Sequence, residues 1–164
     1  MLLHHVSIGV SDVGRAAEFY DKALGALGYK RIMEYMPYAV AYGTKGPELW
    51  VQLPHDRNAP STGNGAHIAV NASTKSAVHA FHSAALEAGG IDDGAPGPRA
   101  EYSPDYYGAF VRDLDGNKIE AVLIVNGKAN GKSRPKKMAA KRSKKPAARK
   151  AKGRGRARTK SKRR

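Results

Sequence analysis

Two histidines stand at matching places in the chain, 62 residues apart. His5 opens His5-Val6-Ser7-Ile8-Gly9-Val10, and His67 opens His67-Ile68-Ala69-Val70-Asn71-Ala72. The match continues without a gap: Phe19-Tyr20 falls on Phe81-His82, Ala23-Leu24 on Ala85-Leu86, and Gly28 on Gly90. Internal repetition constrains architecture more firmly than local propensity does. Two units related by a pseudo-twofold bring equivalent positions face to face, so His5 and His67 are expected to point into one shared cavity. Imidazole nitrogens there would be donors for a divalent metal. His4 is expected on the opposite face of the same strand. His55, in the Pro54-His55-Asp56 loop, and His79 and His82, on a helix, are expected to serve packing or solvation.

The elements that position these residues can be read from hydrophobic period. Each histidine opens a short alternating strand (Val6, Ile8, Val10; Ile68, Val70, Ala72), after which the period changes from 2 to 3.6. The first helix is expected from near Asp12 to Leu27, with Ser11 or Asp12 as N-cap and Gly28 in the left-handed C-terminal position. Val13, Ala16, Ala17, Tyr20, Leu24 and Leu27 would form its inner face. The second is expected from Ser73 to Ala88, with Val78, Phe81, Ala85 and Leu86 inward and Gly89-Gly90 ending it. Strands follow at about Arg31 to Glu34, Ala39 to Tyr42 and Glu48 to Leu53, and in the second unit at Ile91, Tyr107 to Asp113 and Asn117 to Val125. Asp113-Leu114-Asp115-Gly116-Asn117 has the Asp-Gly signature of a hairpin. Each unit thus reads βαβββ, and the class is α+β. The expected architecture is two such modules forming a curved mixed sheet around a cavity.

The repeat, Phe19-Tyr20, and the ending Asp113-Leu114-Asp115-Gly116-Asn117-Lys118-Ile119-Glu120 resemble the vicinal oxygen chelate superfamily. That superfamily includes glyoxalase I, extradiol dioxygenases, fosfomycin-resistance transferases and bleomycin-binding proteins. The resemblance covers roughly residues 3–125 and specifies the fold more closely than the reaction. Leu114 departs from the proline usual there, which should alter only the turn. The resemblance implies that Glu120 is a carboxylate ligand on the same concave face as His5 and His67. Two imidazoles and one carboxylate suit Fe, Mn, Zn, Ni or Co and leave open positions for a chelating substrate. Aligning Gly46-Pro47-Glu48-Leu49-Trp50 with Gly116-Asn117-Lys118-Ile119-Glu120 puts Trp50 in the equivalent slot of the first module. Indole is a donor only, so the favoured set has three protein ligands with Trp50 walling the pocket. Glu48 or Gln52 would replace Trp50 as a ligand if the register slips by two.

Gly89 to Tyr107 reads as a long loop rich in glycine and proline, carrying Arg99, Tyr102, Tyr106 and Tyr107. Such loops are often binding loops or lids. A phenol near an open metal site, Tyr107 first among them, is suited to hydrogen-bond a substrate oxygen or transfer a proton, and Arg99 to hold an anionic group. Trp50, Tyr102 and Tyr106 complete the expected substrate-binding set.

Charge divides the 164 residues into two physical objects. Residues 1–125 hold 10 basic and all 14 acidic residues, a balance of −4, and read as the glyoxalase-like domain. Residues 126–164 hold 19 basic residues, no acid and no aromatic. That composition cannot offset its ordering entropy by burial and reads as a disordered tail resembling those of linker histones. A polyanion is the expected partner: non-specific nucleic acid, contacted by residues 128–164 through phosphates. The absence of cysteine excludes disulfides, thiolate metal sites and a cysteine nucleophile. Neither a secretory signal nor a run of 18 apolar residues is present, so a cytoplasmic protein without membrane insertion is expected; nucleoid association and homodimerisation are compatible with this reading. The leading functional expectation is a small metal-dependent enzyme performing isomerisation, ring cleavage or thiol addition on a substrate chelated through vicinal oxygens. The alternative is a metal-free module that sequesters a planar small molecule, as bleomycin-binding proteins do.

Overall fold

The computed structural model describes residues 3–125, and the Lys/Arg-rich tail lies outside the described residues. The order of elements is β1 (Val6–Gly9), α1 (Val13–Gly25), β2 (Lys30–Tyr35), β3 (Ala39–Gly43), β4 (Leu49–Gln52), then β5 (Ile68–Asn71), α2 (Lys75–Glu87), β6 (Ile91–Pro98), β7 (Tyr106–Arg112) and β8 (Lys118–Ile124). This is βαβββ twice, as the repeat predicts. Each module forms a mixed four-stranded sheet, ordered β1-β4-β3-β2 in the first and β5-β8-β7-β6 in the second. In each, the opening strand pairs in parallel with the last strand and the remaining pairs are antiparallel.

The helices start where capping chemistry lets them. Asp12 accepts the Arg15 N–H at 3.0 Å, and Thr74 accepts the Ala77 N–H at 3.1 Å. Gly28 (φ 89°) and Gly89 (φ 94°) follow in the left-handed region that a side chain disfavours. The helices pack against each other and against one face of the sheets. Val13, Ala16, Ala17, Phe19, Tyr20, Ala23 and Leu24 of α1 and Val78, Phe81 and Ala85 of α2 are buried with Val40, Tyr42, Val51, Ile119 and Ala121. Leu86, expected inward, is 37% exposed, because the buried stripe of α2 is only one residue wide per turn.

The segment read as a loop from Gly89 contains β6, an eight-residue strand. Gly94, Pro96 and Gly97 ordinarily break strands, but β6 is an edge strand, where proline costs no ladder bond on its free side. Its register against β7 shifts twice, between Asp92 and Gly94 and between Gly94 and Gly97, which absorbs the irregular residues.

The turn after β7 ties the modules together. Asp113 is buried; its Oδ1 accepts the N–H groups of Asp115 (3.0 Å) and Asn117 (2.7 Å), while its Oδ2 accepts Tyr20 Oη–H (2.7 Å) and Asn117 Nδ2 (2.9 Å). Asn117 Nδ2 also donates to Gly9 O at 3.0 Å, and Ser11 N to Asp115 Oδ1 at 3.1 Å. Gly116 (φ 88°) closes the turn as the Asp-Gly pair predicts. Leu114, in the place of the usual proline, packs against the core.

Candidate functional site

Both sheets have one face on the helices and one face turned away from them. Strand alternation sends Ile119 and Ala121 into the core and turns Glu120 to the other face, beside Phe110 on β7 and Ala69 on β5. Glu120 is nevertheless 0% exposed, which a carboxylate rarely tolerates without partners. Tyr106 Oη–H donates to Oε1 at 2.7 Å, and His67 Nε2 lies 3.2 Å from Oε2. The latter is a charge-range contact without hydrogen-bond alignment, so Oε2 is buried and accepts no hydrogen bond in the described structure. Gly108 makes room for this arrangement: a Cβ there would lie 2.8 Å from Oε1. Burial first, and the bond to Glu120 second, hold the Tyr106 phenol well above its usual pKa, so it is a neutral donor near pH 7.

A buried carboxylate oxygen without a hydrogen bond calls for a further group. An imidazole nitrogen and a carboxylate oxygen facing each other are a chemically fitting donor pair for a divalent cation. Among the described residues, however, no three His, Asp or Glu side chains converge. His5, the third ligand expected from the sequence, stands elsewhere. It lines a cavity of about 290 Å³ with Tyr29, Glu48 and Asn71, whereas His67 lines one of about 340 Å³ with Arg112 and Lys118. Within one chain the two histidines therefore open into different cavities, rather than into the shared one that the repeat suggested. His4 also departs from expectation. Its Nδ1 is 2.8 Å from Nδ1 of His5, because β1 begins only at Val6 and strand alternation does not yet separate the two side chains.

Trp50 occupies the open face of β4 and stacks on Tyr35, with ring centroids 6.0 Å apart at 24°. Gln52, two residues on, lines a cavity of about 870 Å³ with Tyr38, His55 and Arg57. Glu48 Oε2 accepts Thr44 N–H at 3.1 Å. Arg99 donates to Ala95 O and Pro98 O, and its guanidinium carbon lies 5.5 Å from the ring centroid of Phe110, the cross-strand partner of Glu120, with part of its donor set taken. Tyr102 is 59% exposed and edge-on to Tyr106 at 5.2 Å.

Tyr107 faces away from all of these. Its hydroxyl is 2.8 Å from His79 Nε2 on α2, and Lys75 Nζ is 5.0 Å from its ring centroid. Adjacent strand residues face opposite sides, and Tyr106 is the phenol that reaches Glu120. The register held the signal: Phe110 pairs with Glu120, and counting back by twos from Phe110 arrives at Tyr106. The same counting brings out two residues that sequence reasoning missed, Arg112 and Lys118, which pair across the strands one step nearer the turn.

The family model for the glyoxalase/bleomycin resistance protein/dioxygenase superfamily matches residues 2–121. Among solved structures, the chain is similar to a glyoxalase/bleomycin resistance protein from Albidiferax ferrireducens T118, with 31% identity, a TM-score of 0.66, and coverage of 74% of this chain and 98% of that one. It is also similar to the V278E mutant of glyoxalase I from Zea mays, with 26% identity and a TM-score of 0.56, covering 72% of this chain and 44% of that one. A lactoylglutathione lyase from Agrobacterium tumefaciens, 14% identical with a TM-score of 0.52 and coverage of 73% and 91%, shares the fold. Comparison with curated proteins gives no match. The matched span takes in both modules and runs into β8 as far as the residue after Glu120, and on that extent the chain belongs to the glyoxalase/bleomycin resistance protein/dioxygenase superfamily.

Proposed function

We propose that the chain is a small metal-dependent enzyme whose substrate binds through vicinal oxygens, with His67 and Glu120 as two of the metal's protein ligands. The observation that carries this reading is the buried Oε2 of Glu120, which accepts no hydrogen bond from the described residues and lies 3.2 Å from His67 Nε2. A divalent ion (Fe, Mn, Zn, Ni or Co) held there would supply a Lewis acid and a template for two substrate oxygens. This chain's residues do the rest. Tyr106 holds Oε1 and so leaves Oε2 for the ion, Phe110 packs edge-on against His67, and Trp50 walls the pocket on the first module. His5 completes the ligand set from a second copy of the chain, since within one chain it lines another cavity; the working unit is then a homodimer. The test is metal analysis of the purified, reconstituted protein. Near-stoichiometric metal that is lost in His67→Ala and in Glu120→Gln is expected, and a wild-type protein that takes up none would overturn the reading.

The metal-free sequestering reading is favoured by one observation of its own, the Trp50–Tyr35 stack on the open face of the first sheet, which offers a flat aromatic surface. It requires a planar ligand to quench Trp50 fluorescence equally in wild type and in His67→Ala. For residues 126–164 the proposal is a phosphate-binding tether to nucleic acid, resting on 19 basic residues without an acid.

A further inference from the structure

We propose that His67, Arg112 and Lys118 form an oxyanion pocket on the second sheet, which takes the carboxylate or phosphate group of a substrate. That the ligand is the substrate rests on the proposed function; that the pocket binds an oxyanion does not.

Arg112 and Lys118 are direct cross-strand partners in the β7–β8 pair. Like charges placed opposite each other destabilise a sheet, so this arrangement needs a counter-charge. Asp93 supplies one: its Oδ2 is 3.2 Å from Arg112 Nη2 and 3.1 Å from Lys118 Nζ. These are ion-pair contacts without hydrogen-bond alignment, and Oδ2 is buried with no hydrogen-bond partner among the described residues. One loosely seated carboxylate thus sits between two cations, leaving a net charge of about +1 there. Lys118 Nζ is also 4.6 Å from the Phe110 ring centroid, which Arg99 approaches from 5.5 Å. Two of the ten basic residues of a body that carries −4 therefore flank one ring, and Arg112 pairs across the strands from one of them. Such concentration on one face attracts and orients an anion.

The space is present as well. A cavity of about 340 Å³ opens between these cations and the Gly63-Asn64-Gly65 turn, and His67 lines it. Gly65 (φ 86°) gives the turn the left-handed residue that a side chain would disfavour. The His67 Nε2 faces Glu120, so an oxyanion in this cavity is one imidazole away from the buried carboxylate. Asp93 already shows that Arg112 and Lys118 can converge on a single carboxylate oxygen, and a ligand oxyanion would take or share that position.

The test is residue-resolved NMR on the full chain in EDTA, titrated at constant ionic strength with inorganic phosphate and separately with acetate. Resolution by residue separates the pocket from the basic tail. Saturable shifts are expected at residues 63–67, 93, 112 and 118, and a response to phosphate alone or to acetate as well tells which oxyanion fits. Lys118→Gln and Arg112→Gln should weaken the apparent Kd at least about tenfold, as loss of a charge-assisted contact does. Lys118→Arg should retain binding, and Asp93→Asn should tighten it severalfold by removing the internal competitor. Shifts confined to residues 126–164, or Asp93→Asn weakening the response in a folded protein, would overturn the pocket. If Asp93→Asn does not fold, the Lys118→Gln and Lys118→Arg pair decides, and equal binding by both overturns it. Glu120→Gln keeps the two proposals apart: it should abolish metal uptake and leave the phosphate shifts in place.

Discussion

Glu120→Gln removes a charge from a side chain that water does not reach, whereas Glu48→Gln alters one that is exposed and accepts from Thr44. If Glu120 is a ligand, its substitution should lower metal affinity by more than about a hundredfold, beyond the range of outer-shell changes. Glu48→Gln should stay within about twofold on the same scale, and competition with a chromophoric chelator measures both. Tyr20 offers a second test of a single buried group. Its hydroxyl donates to Asp113, so Tyr20→Phe should cost about 2 kcal/mol in urea unfolding. Burial, then the charge of Asp113, raise the Tyr20 pKa well above 10.0. The folded state therefore retains a proton that the unfolded chain releases. This contribution is complete below about pH 10 and is lost as the pH rises beyond it. Tyr20→Phe should flatten part of the alkaline loss of stability; Tyr42, Tyr106 and Tyr29, whose pKa values burial also raises, keep their share in both proteins.

Elements respond to backbone room. A Cβ on Gly90, between α2 and β6, would lie 2.9 Å from Ala85 O, Arg112 O and Phe19 Cε2. Gly90→Ala should destabilise by about 1–3 kcal/mol through overpacking. Gly25, in the last turn of α1, would place its Cβ in open space, so Gly25→Ala should stabilise by up to about 1 kcal/mol. Thermal melts of the two variants should move in opposite directions. The same distinction explains what could be read in advance. The helices were legible because their caps and apolar stripes are local signals, whereas β6 was hidden because two register shifts, set by its neighbour, accommodate residues that break strands elsewhere. At the site, the repeat placed His5 and His67 at equivalent points of their modules. It carried no information on how the modules pack, so it could not say which cavity each would enter. The exchange of Tyr106 for Tyr107 is a parity error: the turn at Asp113–Asn117 fixes which of two adjacent residues faces Glu120, and that requires the register.

At the scale of the molecule, two proposed assemblies have distinct signatures. If a metal site takes His5 from one copy and His67 with Glu120 from another, His5→Ala and Glu120→Gln proteins should each lack metal alone. Mixed and allowed to exchange subunits, they should recover about one intact site in half of the dimers, the statistical expectation for a twofold assembly. Metal analysis of the mixture measures this, and no recovery would place the ligands within one chain. The tail makes a separate prediction. Deleting residues 128–164 removes its 19 basic groups and should abolish binding to unrelated DNA duplexes. In the intact protein, log affinity should fall with log salt at about −0.9 per phosphate neutralised, or on the order of −8 if half the basic groups engage.

The grip of the Asp113 turn on Gly9, Ser11 and Tyr20 reaches across the duplication boundary. Each half of the chain thus completes the polar interior of the other, and neither is a self-sufficient unit despite having its own sheet and helix. A nick in the Pro60–Ala66 connection should therefore yield two fragments that order only when mixed, in one concerted transition.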